Sequence, residues 1–444
     1  GADFTVKAVL ISPENKFLPV SNQDTNNSLF AYTAESNGDI ASLQYLRHLQ
    51  NLSSSFSGVS GKTQAVQIAD IHGADNETYS GYEFKPLVNS SLQEYSGGQL
   101  KAYAVYNLLV TPQSVGGRSG GLFARAENMN FNNVRLINAH VEARDNVKKL
   151  AAGALVGEAN YCTFTDCQVY WQPTAESDLR GLLGSDAEGS AYQYQIVGND
   201  AGGLIGIATR DCRLENCLAA TLVQGNMVAG GLVGRTLDDI YIEKSYADCY
   251  LSGNTLGGLV GYAEAGLDFI NGYVAGYMDI TAAQKVAGLC CGGNNVKVYT
   301  KNVYSVMLRI GQNNNADFYE LTESQATVNV DQFDNTYYLG GGKVGGSSEY
   351  QAEGKSYADM TAADFVGQLG GNFDRKTARQ SHPYNLREHL QLVVYSFPGL
   401  QNLPHYGDWG AQFKEPSLVY YEHYSDGRLC RGFSDGGFER GKPD

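Results

Sequence analysis

A short glycine-leucine signature recurs along the middle of the chain, and an internal repeat of this length constrains the fold more than any other sequence feature. Each copy has two small residues, usually glycine, followed by a leucine and a further apolar residue, which is aliphatic in four of the six copies. The leucines are separated by 33, 49, 28, 27 and 30 residues. The copies are Gly120–Phe123, Gly153–Gly157, Gly202–Gly206, Gly230–Gly234, Gly257–Gly261 and Ala287–Cys290.

A second apolar position follows each of the first five signatures 9 or 10 residues after its leucine, at Phe131, Phe164, Leu214, Ile242 and Phe269. Beyond it the sequence alternates with period two, which indicates strands. A unit of two or three short strands with glycine at its corners is typical of one coil of a β-solenoid. The repeat therefore predicts an all-β, right-handed parallel β-helix; a β-propeller is the alternative, although its blades need longer units. The handedness follows the usual handedness of parallel crossovers.

The 49-residue interval interrupts this spacing between Leu155 and Leu204. It contains Gly181–Gly184, which is either a degenerate repeat copy or part of an inserted loop. The loop interpretation is favoured because residues 188–194 show no repeat character. The sequence does not determine the coil boundaries within residues 157–202.

Composition and charge exclude several classes of protein. Charged residues make up 18% of the 444 and hydrophobic ones 43%, which is too apolar for a disordered chain. With 32 basic against 47 acidic residues the net charge is −15, so we expect no nucleic-acid partner. No window is apolar enough for a membrane-spanning helix. The first residues lack a signal peptide, and we expect that an export signal has been removed.

The signature with its following strand resembles the GLUG-motif repeat of secreted Bacteroidetes surface proteins classed as adhesins. The resemblance extends to a leader before the repeats, in Leu46–Leu52, Gln67–Ile71, Phe84–Leu87, Tyr95–Gly97 and Val105–Val110, and to closing motifs in Tyr395–Leu400 and His405–Trp409. It implies a parallel β-helix exported to the bacterial cell surface, where flanking segments would anchor it to the outer membrane. It does not name a ligand.

Three regions follow from this organisation. Residues 1–116 are predicted to form a leader, a capping helix over 39–53 and the first irregular coils. Residues 117–340 are predicted to form the repeats, and residues 341–444 a C-terminal cap of mixed α+β and irregular structure. In that cap, Thr361 is predicted to begin a helix that runs through Leu369. Such caps protect the open strand edges of a solenoid.

Tyrosines on one face are the candidate ligand contacts. If Ser245 and Gly272 point into the solenoid, alternation directs Tyr246, Tyr250, Tyr273 and Tyr277 outward, each pair at the same offset from its leucine. Two aromatic ladders would then climb one face, and exposed aromatic rings stack on sugars or anchor protein partners. The alternative is that a C-terminal segment covers them. The inward column Val134, Cys167, Cys217, Ser245 and Gly272 needs small side chains, which makes the cysteines packing residues.

Catalysis has weaker support. β-Helices also carry polysaccharide lyases and glycoside hydrolases, whose candidate acids here would be Asp238, Asp239 and Asp248. No carboxylate recurs in the Asp248 column, the seven histidines are scattered, and no metal-ligand spacing is present. The sequence thus predicts no catalytic residue, no metal and no cofactor. The expected function is non-catalytic adhesion to a glycan or to a host or matrix protein; a carbohydrate-active enzyme and a structural stalk are the alternatives.

Overall fold

The chain folds as a right-handed parallel β-helix. The computed structural model describes residues 64–67, 70–73, 83–88, 92–98, 101–145, 147–170, 194–293, 296–311, 315–323, 331–340, 352–374 and 397–403, together with Asn313, Val344 and a few short strands beyond them. Successive coils pair in parallel along the solenoid, with each residue aligned to its equivalent in the next coil. Each coil has three faces.

The first face begins directly after the leucine of each glycine-leucine signature. It is a seven-stranded sheet in which every strand pairs in parallel with its neighbours. Its strands are Leu87–Val88, Phe123–Glu127, Val156–Asn160, Ile205–Thr209, Val233–Thr236, Val260–Ala263 and Cys290–Gly292.

The second face follows a corner of a few residues and carries the second apolar position of each repeat. Its short strands are Asp39–Ile40, Gln64–Gln67, Glu94–Ser96, Asn130–Asn132, Thr163–Thr165, Cys212–Glu215 and Ile240–Glu243. Three longer strands continue from the second face into the third: Leu267–Asp279, Val298–Ile310 and Gln332–Leu339.

The third face returns the chain to the next signature. It joins the second face in one 24-stranded sheet. Its own strands are Ile71–His72, Ala104–Tyr106, Leu109–Val110, Arg135–Ile137, His140–Glu142, Ala151–Gly153, Gln168–Tyr170, Gln195–Gly202, Leu218–Ala220, Leu222–Gly230, Tyr246–Gly257, Lys285–Ala287, Asp317–Tyr319 and Glu353–Lys355. A one-turn helix, Pro112–Val115, is the first helix among the described residues.

The core is built from columns of equivalent residues. The leucines of the signatures are fully buried, and Leu155 N–H donates to the Leu204 carbonyl across 3.0 Å. The second apolar positions of the repeats form another column, in which the rings of Phe131 and Phe164 stack with centroids 4.8 Å apart and planes 6° from parallel. This column continues in register through Leu214, Ile242, Phe269, Thr300 and Phe333. The predicted stacking of like positions is therefore confirmed.

Small residues occupy the inward column after the second strand, as predicted. Val134, Cys167, Cys217 and Ser245 are all buried completely. Gly272 has no room for a side chain, since an added Cβ would lie 2.3 Å from the ring of Phe269. The structure describes the side chains of seven of the eight cysteines, and all seven are free and buried, as expected of packing residues.

The turn before this column is held by a ladder of left-handed residues. Asn216, Asn271, Asn302 and Asn335 have φ between 45° and 54°. Asparagine tolerates this conformation better than other non-glycine residues. Asn302 Nδ2 donates to Asn271 Oδ1 across 2.8 Å, and Asn335 Nδ2 donates to Asn302 Oδ1 across 3.1 Å. The last three of these coils are thus linked at the turn by side-chain amides.

The long interval in the repeat is an insertion, because Val156 pairs directly with Ile205 and no coil stands between the two signatures. The sequence pattern missed one further coil. Leu321 is fully buried and accepts a hydrogen bond from the Leu289 backbone N–H, so it continues the leucine column. Glu320 replaces the second glycine of the signature there, which hides the copy in the sequence.

Glu320, which stands in place of the signature glycine, pairs with a charged residue at the end of an inward column. Arg309 lies in register with Met278 and Leu251 of the preceding coils, both of which are buried. Its guanidinium stacks on the Phe318 ring at 3.2 Å and lies 3.4 Å from Glu320 Oε1. The column of Leu251 and Met278 therefore ends in an ion pair.

The predicted caps are only partly as expected. Asp39–Ile40 is a strand paired with Val66 and Gln67, where the helix over 39–53 was expected to begin; the rest of that range lies outside the described residues. At the other end, Thr361 does not begin a helix. Ser356 caps a helix over Tyr357–Thr361 through a reciprocal bond with Asp359, and a second helix spans Phe365–Gln368. The sequence Ser356-x-x-Asp359 is the stronger capping signal.

The C-terminal segment also contains antiparallel strands. Phe373–Asp374 pairs with Gly399–Leu400, and Gln380–His382 pairs with Val393–Tyr395. A three-stranded antiparallel sheet consists of Val419–His423, Leu429–Phe433 and Phe438–Glu439. The mixed helical and strand character agrees with the expected cap.

Candidate functional site

The predicted tyrosine columns exist on the third face. Tyr246 is aligned with Tyr273, and Tyr250 with Tyr277. The rings of Tyr246 and Tyr273 stack with centroids 4.5 Å apart and planes 7° from parallel, and Tyr304 continues the stack at 5.0 Å and 3°. Their neighbours Ala247 and Val274 point into the solenoid core, so the alternation is as predicted.

These columns are nevertheless not an open contact face. Tyr246, Tyr273 and Tyr277 are 1%, 0% and 5% exposed, and Tyr250 is partly buried and donates to Asp279 Oδ2 across 3.1 Å. They belong to a second apolar cluster, the cap cluster, that lies outside the solenoid core. The C-terminal segment contributes Met360, Phe365, Leu369, Phe373, Phe397, Leu400 and Leu403 to this cluster.

Direct contacts show how the cap covers the stack. The rings of Phe365, Phe373 and Phe397 all contact the ring of Tyr304, with centroid distances of 6.0–6.1 Å. The Tyr304 hydroxyl donates to the Pro398 carbonyl. The expectation that Tyr246, Tyr273 and Tyr277 form a solvent-exposed contact face is therefore wrong. The alternative, a covering C-terminal segment, is the arrangement present.

The three candidate acids are held by the fold. Asp238 Oδ2 accepts the Arg210 backbone N–H at 3.0 Å, and Asp239 Oδ1 accepts the Gly266 backbone N–H at 2.7 Å. These bonds tie together the corners of adjacent coils. Asp248 is 1% exposed on the face beneath the cap, and Ala275 occupies its position in the next coil. Asp238 and Asp248 therefore do not form a catalytic pair.

A different surface has the features of a binding site. A groove of about 610 Å³ crosses the second face, and a second depression of about 380 Å³ adjoins it at the corner before that face. Both volumes lie in the range of small-molecule sites. The two share Asp211 and Asp239, so they adjoin each other, and together they are called the corner groove. Its other lining residues include Tyr161, Arg210, Arg213, Asp238, Tyr241, Asp268, Lys297, Tyr299 and Gln332.

One aligned column forms the floor of the corner groove. Arg213, Tyr241, Asp268, Tyr299 and Gln332 occupy equivalent positions in successive coils. They alternate with buried residues along their strands and thus point away from the core. Each lies one position before a member of the Phe131 column, and the sequence pattern does not single out this neighbouring column.

Tyr161 marks the corner end of the groove. Its φ is 52°, an uncommon value for a bulky side chain, and Arg210 and Asp211 in the next coil are also left-handed. The Tyr161 side chain is among the most exposed large apolar ones in the described part of the chain, at 45%. The Arg210 guanidinium lies 5.7 Å from its ring centroid. Left-handed backbone also occurs at Asn128, the equivalent corner of the preceding coil, so this conformation belongs to the repeated turn.

The electrostatics of the groove are mixed. Partial burial and then the neighbouring Asp239 carboxylate raise the pKa of Asp268, and Lys297 offsets part of this shift. Burial raises the pKa of Tyr241 to about 12, and its hydroxyl donates to Glu243 Oε2 across 2.8 Å. The Arg213 guanidinium covers one side of the Tyr241 ring at 4.7 Å. Rings, carboxylates and cations therefore alternate along the groove.

Two further properties bear on the choice of function. In the part of the chain that the structure describes, no three histidine, cysteine or carboxylate side chains are grouped to hold a metal ion. Within the same residues, no helix has the length and apolar character needed to cross a membrane.

Comparison with known proteins gives little further information. No protein-family model and no curated protein sequence matches the chain. One solved structure with a similar course is a Bacteroides ovatus protein described as a "putative immunoglobulin A1 protease". It is 14% identical, and the match covers 82% of this chain and 92% of that one with a TM-score of 0.43. A similarity of this size carries no argument about the activity of the present chain.

Proposed function

We propose that this protein is a non-catalytic adhesion protein of the bacterial cell surface and that it captures a glycan in the corner groove. The observation that carries the proposal is the groove itself, in which partly exposed tyrosine rings alternate with charged side chains on a rigid ladder of coils. Aromatic rings supply apolar stacking surface for sugar rings at low entropic cost, and carboxylates and guanidinium groups supply hydrogen bonds for hydroxyls.

The rigidity of the ladder favours binding. The backbone of each groove residue is hydrogen-bonded to the coils on both sides, so little order is lost when a ligand docks. A stalk with no ligand needs no such surface. Export and surface display follow from the GLUG-type resemblance and are part of the same proposal.

Binding on a glycan array and to immobilised matrix proteins tests the proposal. The wild type is expected to retain at least one glycan, and the double variant Arg213→Ala/Tyr241→Ala is expected to lose it. Arg125→Ala is the matched control, because Arg125 is exposed on the first face and lines neither depression. Glycan binding that survives in the double variant, or binding to protein alone, would contradict the proposal.

A carbohydrate-active enzyme is the second candidate, and the Asp239–Asp268 neighbourhood is the observation that favours it. A carboxyl group with a raised pKa beside a second carboxylate is the arrangement of a general acid in glycoside hydrolysis. Asp239 is, however, engaged with the Gly266 backbone. Release of new reducing ends from any bound glycan, and its loss in Asp268→Asn, would establish this second function in place of simple capture.

A further inference from the structure

Two tyrosines in the corner groove are separated by one short side chain. Tyr241 and Tyr299 occupy the same column two coils apart, with Asp268 in the coil between them. Where three tyrosines occupy successive coils, as in Tyr246, Tyr273 and Tyr304, the rings stack at 4.5 Å and 5.0 Å with nearly parallel planes. The groove column is thus an aromatic stack with its middle ring missing.

The size of the gap follows from the coil spacing. Strands of neighbouring coils lie about 4.8 Å apart, so rings two coils apart are separated by about 10 Å. Carbon atoms in van der Waals contact are about 4 Å apart, so the gap accepts one ring in contact with both tyrosines and has no room for two. Because Asp268 is short, it leaves this space open and places its carboxylate at the base.

The orientation of Tyr241 fits this arrangement. Its hydroxyl reaches along its own strand to Glu243, and the Arg213 guanidinium covers the face directed toward the preceding coil. The opposite face is therefore directed toward the coil of Asp268. This space, the slot, is lined by Tyr241 and Tyr299, with Asp268 in the coil between them and Lys297 also in its lining.

We infer that the space between Tyr241 and Tyr299 holds a single neutral pyranose ring of the bound glycan, sandwiched between the two tyrosine rings, with its hydroxyls donating to the Asp268 carboxylate. This inference rests on the proposed glycan-binding function and assigns the position and class of the bound sugar. A pyranose has two apolar faces and a rim of hydroxyls, which matches two rings and an acceptor. A uronic acid would bring a second carboxylate next to Asp268 and is rejected by like-charge repulsion.

Filling the slot is the decisive test. Asp268→Tyr restores the missing ring, so it is expected to leave the thermal unfolding temperature unchanged or raised while weakening sugar binding at least tenfold. Tyr299→Ala removes one wall and is expected to weaken binding about tenfold. Asp268→Asn keeps the space open, so it is expected to weaken sugar binding less than Asp268→Tyr does. Arg125→Ala on the first face is expected to bind like the wild type.

The measurements are isothermal titration calorimetry with neutral hexasaccharides of glucose, mannose, galactose and xylose, and with hexagalacturonic acid as the acidic probe. Saturation-transfer NMR would show transfer from tyrosine ring protons to ring protons of the sugar. Preference for the acidic probe, or wild-type affinity in Asp268→Tyr, overturns the slot. If affinity persists in Asp268→Tyr but is lost in Tyr161→Ala, glycan capture stands and the slot is wrong. If none of these saccharides and no array glycan binds, both proposals are wrong.

Discussion

The Arg309 guanidinium lies 3.4 Å from Glu320 Oε1, where the inward column of Leu251 and Met278 ends. Burial raises the pKa of Glu320 to about 7, and the nearby Arg309 charge reduces the shift. Arg309 partly compensates the charge of Glu320. Burial nevertheless makes the ionised form of this carboxyl group costly. Stability should therefore depend on pH through this residue.

The sign of this dependence follows from the raised pKa. Between the ordinary value of 4.5 and about 7, the folded protein retains a proton on Glu320 that the unfolded chain has released, so stability falls as pH rises through this window. We expect wild type to lose on the order of 3 kcal/mol relative to Glu320→Gln between pH 4.5 and 7.5. Urea denaturation at both pH values measures it. A difference between the two proteins that is independent of pH would refute the prediction.

The second glycine of the signature gives a prediction about close packing. A Cβ on Gly231 would lie 2.1 Å from the Gly258 carbonyl oxygen and 2.5 Å from Ala247 Cβ. Gly231→Ala is therefore expected to cost about 1–3 kcal/mol or more in free energy of unfolding. Gly367→Ala is the matched control, because nothing lies within 4 Å of that position and alanine favours the helix it belongs to. Equal stability of the two variants would contradict this account.

The cap should be weakened by the loss of one hydroxyl. Tyr304→Phe removes the hydrogen bond to the Pro398 carbonyl while keeping the ring stack, and we expect a cost of about 1–2 kcal/mol. Limited proteolysis should cut the C-terminal segment faster in this variant. Tyr250→Phe serves as the control, since the partly buried Tyr250 hydroxyl bonds to Asp279 within the solenoid. Unchanged cleavage in Tyr304→Phe would show that this bond does not hold the cap.

The buried cysteines should be unreactive in the folded protein. Burial raises the pKa of Cys162 to about 12, and the other six described thiols are buried as well. We expect Ellman's reagent to modify at most one of the eight cysteines, Cys430, before unfolding, and all eight in denaturant. Rapid native labelling of two or more would contradict the packing role.

Much of the solenoid follows from the sequence because each coil repeats the same packing problem. The spacing of Leu232 and Leu259 predicts their stacking, and alternation after Ser245 correctly separates Ala247 from Tyr246. Alternation states only on which side of a strand a residue lies. It cannot tell what covers that side, and the covering residues, such as Phe365 and Phe397, lie in a segment without repeat character.

The corner groove was harder to predict for a related reason. Its side chains occupy equivalent positions in successive coils but differ in residue type. Tyr241, Asp268 and Tyr299, for example, form one column with a carboxylate between two rings. A search for like residues therefore passes over them. The coil at Leu321 was missed because Glu320 stands where the signature requires glycine, although the distance from Leu289 is ordinary for a repeat.

The cap also changes how the molecule can come apart. Coils of a solenoid normally touch only their immediate neighbours, so such chains can fray one unit at a time. Here Phe365 contacts both Tyr304 and Tyr337 from outside the stack, while the cap cluster reaches back to Tyr246. The C-terminal segment thus packs against several coils at once. We expect the coils beneath it to unfold in one cooperative step rather than one after another from the end.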